Sequence, residues 1–275
     1  MNTNYDDKLN ELEWFKIHPQ LLPFVGDNYD DYKILQIGES HYIDREKDDD
    51  KFDICYFRDH WWEETCDDLV KSFDDTSKYN GCWFDTRRVL HNYLDGKVGS
   101  YGIFSNVVKS FSKIMLDKDI SNVSLEEKKL YNNFAFMNFY QMPSLYLGQK
   151  YWNSLVKSAK YVCKDDKKRA HTLPREIFRK CVEISIKAVD DVIDIIEPRI
   201  IIFTSISARN AYSGKEYEEC KGKYYKDDNR VIYTSHPSAP FSWNKPLKAL
   251  KSETGEKKTG QQVLEEKLLL FKKHL

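Results

Sequence analysis

The stretch Tyr32–Tyr42, YKILQIGESHY, decides how this chain is read. Its apolar run, 33–37, reads as a strand that stops at Gly38, with Glu39, Ser40, His41 and Tyr42 forming the loop at its carboxyl end. In open α/β sheets ligands sit outside the carboxyl ends of the strands, so these side chains stand where chemistry is expected.

Three more segments end in the same way. Residues 134–139, FAFMNF, form an apolar run broken only by Asn138; 199–203, RIIIF, lead into Thr204 and Ser205; and 231–233, VIY, run into Thr234-Ser235-His236-Pro237-Ser238. Short apolar runs of this kind mark strands buried on both faces. Between them, apolar residues recur at helical spacing over 58–73, 86–94, 103–115, 175–196 and 259–274. Ser124 with Glu127 makes a capping box, Pro174 sits where a first helical turn would begin, and Glu197-Pro198 ends that helix. Residues 145–163 are aromatic-rich and give no clear assignment.

Strands alternating with helices imply a three-layer α/β/α architecture with a central, mainly parallel four-stranded sheet. A single domain is expected over residues 1–275, with an N-terminal extension, 1–31, that caps the sheet and an insertion at about 44–79. Within that insertion the acidic run 44–53 should be exposed and mobile.

Hydrophobic residues at 41% and aromatics at 14% exclude disorder, while a mean hydropathy of -0.67 predicts a heavily solvated surface. No apolar run approaches the roughly 20 residues of a membrane helix. The six cysteines, at 55, 66, 82, 163, 181 and 220, have no CxxC spacing, so they read as reduced thiols of a cytoplasmic protein and not as a zinc ribbon. A formal net charge of -1 gives no electrostatic footprint for nucleic acid. Lysines and arginines do gather at 164–169 and 245–258, where a solvated face is the plain reading.

The predicted topology delivers four polar sets to one sheet edge: Glu39 to Tyr42, Asn138 with Tyr140, Ser205, and His236 with Ser238. Each has an ordinary alternative. Glu39 could be a solvated carboxylate, Asn138 could bond its neighbours' backbone, and His236 could be a turn residue before proline.

Taken in order, GESHY at a first strand end, an asparagine in a later apolar strand, an EPRIIIF strand and a C-terminal HPS resemble the uracil-DNA glycosylase superfamily. The likeness in order and spacing runs over about residues 32–243, with identity confined to these short motifs. It implies the fold drawn above and hydrolysis of the N-glycosidic bond of uracil or a related deaminated base in DNA, single- or double-stranded, without cofactor or metal. By position, Gly38 leads the loop and Glu39 falls on the glutamate of the family's GEAPG motif. Ser40 falls on that motif's alanine, or on the water-orienting aspartate or asparagine of other branches. Tyr42 falls on the pocket-closing tyrosine of GQDPY, Asn138 on the asparagine that reads the base edge, and His236, followed by Ser238, on the histidine that bonds the uracil O2. Phe84 resembles the ring that stacks on the base, and Phe241 or Trp243 stands where the family inserts a wedge into DNA; both rings could equally be packing residues.

The departures are His41 in place of the family's proline, the serine at position 40, and an insertion without a counterpart. The cysteine spacing does not reproduce the iron-sulfur pattern of the GEAPG branch, so no cluster is expected. The chemistry implied is coherent, since a flipped-out base leaves as an anion that His236 can stabilise while Glu39 positions water or stabilises the sugar cation. Two other site chemistries have weaker support. GESHY lacks the second glycine of a GxSxG elbow, which speaks against Ser40 as an esterase nucleophile, and Glu39, His41 and His236 have no metal-ligand spacing. The competing function is a catalytically weak or inactive protein of this fold that binds nucleic acid, a nucleotide or a protein partner; a hydrolase of another small N-glycoside or ester is a third. The oligomeric state is not legible in the sequence.

Overall fold

The structure, a computed structural model, describes residues 1–42, 60–63, 85–99, 101–144, 151–163, 165–227, 230–251 and 256–274. The N-terminal segment is built into the body. Helices α1 (Asp6–Glu11) and α2 (Glu13–Ile17) bury Leu9 and Phe15, a short 3-10 turn at Pro19–Leu21 follows, and strand β1 (Phe24–Val25) joins the sheet. Helix α3 (Tyr29–Tyr32) ends on Lys33, whose φ of 52° turns the chain sharply into β2 (Ile34–Tyr42). That left-handed conformation is unfavourable for a lysine. Its carbonyl is well used, because it accepts the N–H groups of both Arg199 and Ile200 at 2.7 and 3.2 Å and so aligns the next parallel strand.

Helix α4 (Thr86–Leu94) is capped by Asp85, and α5 (Gly102–Met115) is the amphipathic helix expected from its spacing. The box at Ser124 and Glu127 opens α6 (Leu125–Lys128), and β3 (Phe134–Ser144), α7 (Tyr151–Val162) and α8 (Lys167–Ile196) follow. Here the reading of Pro174 is corrected. Asp166 accepts the Arg169 N–H at 2.8 Å and starts α8 well before the proline, which therefore lies inside the helix and leaves one carbonyl without its N–H. Glu197, at φ 49°, then stops α8, and β4 (Ile200–Phe203), α9 (Ile206–Tyr212) and β5 (Val231–Tyr233) complete the central layer. The chain closes with α10 (Pro240–Trp243), the paired strands β6 (Leu247–Lys251) and β7 (Lys257–Lys258), and α11 (Gly260–Lys272).

The described residues form a mixed sheet of five strands in the order β1-β3-β2-β4-β5. The four predicted strands are mutually parallel, and β1, which the sequence reading placed in a cap, adds to the edge antiparallel to β3. One face carries Leu35, Ile37, Ala135, Met137, Ile201 and Phe203 against Val182, Val189 and Val192 of α8. The other carries Ile34, Phe134, Phe136, Ile200 and Ile202 against Phe104, Val107 and Phe111 of α5 and Leu264 and Leu268 of α11. Helices therefore cover both faces, and the polar ends of the strands are left as the place for a site.

Most of the insertion at 44–79, including its acidic run and most of the helix expected over 58–73, lies outside the described residues. Among those described, Trp61 is fully buried, stacks on His18 with ring centroids 4.3 Å apart, and accepts the His18 Nε2–H at its carbonyl at 2.8 Å. Among the described residues no helix is long and apolar enough to cross a membrane.

Candidate functional site

Strand β2 does not stop at Gly38. The GESHY residues stay in the ladder because β3 continues beside them: Gly38 lies opposite Asn138, Ser40 opposite Tyr140 and Tyr42 opposite Ser144. Between the last two pairs β2 advances two residues while β3 advances four, so β3 bulges. The Gln141 amide fills the bulge, donating to the carbonyls of Asn138 and Phe139 at 2.7 and 3.1 Å. Phe139 and Tyr140 then both turn into the α8 face.

The alternation of β2 separates its polar side chains. A Cβ at Gly38 would come within 2.4 Å of Asn138 Oδ1 and 3.1 Å of the Phe136 ring, so glycine is what lets Asn138 lie over this strand on the α5 face. Glu39 points the other way. Its carboxylate accepts the Ser205 hydroxyl at 2.7 Å, and the Ser205 oxygen in turn accepts the Ala208 N–H at 3.2 Å as the N-cap of α9. Thr204 fixes this junction by donating its N–H and its hydroxyl to the Ile37 carbonyl, both at 2.9 Å. The order of the parallel strands reverses between β2 and β4, which is where α/β sheets open a crevice.

His236 arrives from β5. Thr234 N–H bonds the Phe203 carbonyl at 2.9 Å, and the backbone turns so that the Ser238 N–H donates to His236 Nδ1 at 3.2 Å. That bond assigns the tautomer: Nδ1 accepts, so in the neutral ring Nε2 carries the proton and is a donor. Burial holds the imidazole below its ordinary pKa against the opposite pull of Glu39, so the ring is neutral at pH 7.

Glu39, Ser205 and His236 face one cavity of about 660 Å³. Ile206, Ser207 and Asn210 of α9 continue its lining, and Trp152, Phe178 and Tyr217 give it an aromatic side with Arg175 and Glu216 exposed beside them. None of these aromatic residues was found by sequence reasoning. The aromatic-rich run 145–163 is the sequence signal that points to Trp152.

The other expected site residues fall as follows. Asn138 is half-buried and is not among the residues lining this cavity, so the structure brings together Glu39 and His236 but not all three. Ser40 is 7% exposed and its hydroxyl has no hydrogen-bond partner. His41 is buried with Nε2 3.0 Å from Thr86 Oγ1, a contact that ties β2 to the start of α4. Tyr42 is described only in its backbone, and Phe84 lies outside the described residues. Ser238 is exposed beside Gly102 at the start of α5. Phe241 is 74% exposed, with the Lys245 ammonium 4.8 Å from its ring. Trp243 is corrected to a core residue: it is 3% exposed and a Cβ on Gly260 would come within 3.0 Å of its ring.

Ser40 is not set up as a nucleophile, since no base stands against its hydroxyl, and the Ser205 oxygen is held by the Ala208 N–H as a helix N-cap. Among the described residues no group of three or more His, Cys, Asp or Glu is placed to hold a metal ion. No family model, curated protein or solved structure matches this chain.

Proposed function

We propose that the protein is a monofunctional DNA glycosylase that hydrolyses the N-glycosidic bond of uracil or a related deaminated base, in an intracellular setting. The observation that carries this reading is the pairing of Glu39 with a neutral, oriented His236 in a single cavity at the carboxyl ends of β2 and β5. Breaking the bond leaves a cationic sugar and an anionic base. Glu39, steadied by the Ser205 hydroxyl, is the group for the cation and its attacking water. His236 Nε2–H is the donor for the base carbonyl on which negative charge collects. The likeness of GESHY and HPS to the uracil-DNA glycosylase motifs supports the same assignment.

A second reading, a protein of this fold that binds nucleic acid or a nucleotide without cleaving it, is favoured by Asn138 lying outside the cavity and by the net charge of -1. The test is incubation of the purified protein with single- and double-stranded oligonucleotides containing uracil, scored for alkali-labile abasic sites. Cleavage is expected, and His236→Ala should lower its rate by about 10²- to 10³-fold, the usual cost of one such donor. Glu39→Gln should be at least as damaging, in the range of about 10²- to 10⁴-fold for a positioned acid-base group. Binding without any abasic product would establish the second reading instead.

A further inference from the structure

The cavity is chemically two-sided, and only one side is used by the reaction proposed above. A continuous chain of contacts leads from the polar side to the aromatic one. Ser207, two residues beyond the Glu39 partner Ser205, lies 2.9 Å from the Tyr140 hydroxyl. The Tyr140 ring is 5.9 Å from Phe178, which in turn is 5.4 Å from Trp152 and 5.9 Å from Tyr217, centroid to centroid. Phe178 is buried and forms a floor, whereas Trp152 and Tyr217 are only half-buried and keep ring surface open to the cavity. At about 660 Å³ the space is in the range that encloses a drug-sized ligand, well beyond a lone pyrimidine.

We infer that Trp152 and Tyr217, over Phe178, form a stacking subsite for a second nucleobase, so that the protein takes a single strand presenting the target nucleotide together with its neighbour. This rests on the glycosylase reading and specifies its substrate class. Aromatic platforms are how single strands are held without sequence preference, because every base has a π-face. A neighbouring base can reach such a platform only when it is free of its complement, so a paired duplex is excluded from this subsite. The exposed Arg175 guanidinium beside the rings suits the linking phosphate, and the Glu216 carboxylate confines that phosphate to the Arg175 side.

The test is calorimetric binding to Glu39→Gln protein, which separates affinity from cleavage. The ligands are deoxyuridine monophosphate and the two dinucleotides that add one deoxythymidine on either side. One of the dinucleotides should bind about 5- to 150-fold more tightly than the mononucleotide, the gain for one stacked base. Trp152→Ala should erase that gain and leave the mononucleotide unchanged, while Trp152→Phe should keep most of it. Arg175→Gln, at an exposed position, should weaken the dinucleotide and flatten its salt dependence. Equal affinity for mono- and dinucleotides, or Trp152→Ala acting on both alike, overturns the subsite. A length-dependent affinity in a protein that releases no base would refute the glycosylase reading and leave the subsite standing; base release with no length dependence would do the reverse.

Discussion

At the scale of single residues, the arrangement of His236 has a direct consequence for pH. The Ser238 N–H occupies Nδ1, so a second proton on the ring must displace that bond as well as charge a buried imidazole. Both effects disfavour the cation, and the pKa lies below the ordinary value of about 6.5. If His236 acts as a neutral donor, base release should therefore persist as pH falls through 6.5 and decline only at lower pH. A pH profile of kcat/KM whose acid limb moves when His236 is replaced, in a variant with measurable residual activity, would bear this out; an acid limb already falling at pH 7 would contradict it. The same scale shows why Gly38 matters. Its missing Cβ admits the Asn138 amide, so the first motif and the strand asparagine are locked together through a steric fit and not through a shared ligand.

At the scale of elements, one cluster ties helix α1 to α4 and to the chain entering β1. Arg87 of α4 makes a bidentate pair with Asp6 of α1 at 2.6 and 3.0 Å and donates from Nε to the Pro23 carbonyl at 3.0 Å, with both charged side chains about one-fifth exposed. Replacing Arg87 by alanine leaves a carboxylate and a carbonyl half-buried without partners, and should cost about 2 kcal/mol of stability. Urea unfolding reads this as a lower midpoint, and a double-mutant cycle with Asp6→Ala should return a clearly non-additive coupling. Elements of this kind resist reading from sequence, because β1 is only two residues long and exists by virtue of an edge on β3. The apolar strands were legible, since runs such as 200–203 leave little other choice. The extension of β2 through GESHY was not, because a ladder of backbone bonds tolerates polar side chains wherever the neighbouring strand runs on. Likewise Glu39 and His236 announce themselves by motif and strand end. Trp152, Phe178 and Tyr217 meet only through the packing of α7, α8 and the loop after α9, and no local pattern carries that information.

At the scale of the whole molecule, the N-terminal segment and the chain around Trp61 meet at His18, and this contact should make the fold sensitive to acid. The ring is fully buried, 4.4 Å from Trp14 and 4.3 Å from Trp61, with Nε2–H donating to the Trp61 carbonyl and Nδ1 facing no partner. Burial lowers its pKa to about 4, outweighing the carbonyl that favours the cation. The unfolded chain, with an ordinary histidine near 6.5, thus binds a proton that the native state refuses. Above pH 6.5 both states carry a neutral ring and nothing is lost. Between pH 6.5 and 4 the unfolded state alone is stabilised, and the free energy of unfolding should fall by up to about 3 kcal/mol from this residue. His236, also depressed, acts in the same direction. Urea unfolding at a series of pH values should show this loss in the native sequence and a shallower slope over the same window in His18→Gln, whatever that variant's stability at pH 7. Parallel slopes for the two proteins would mean that His18 is protonated in the folded state, and that the aromatic contact between residues 14–18 and Trp61 opens in solution.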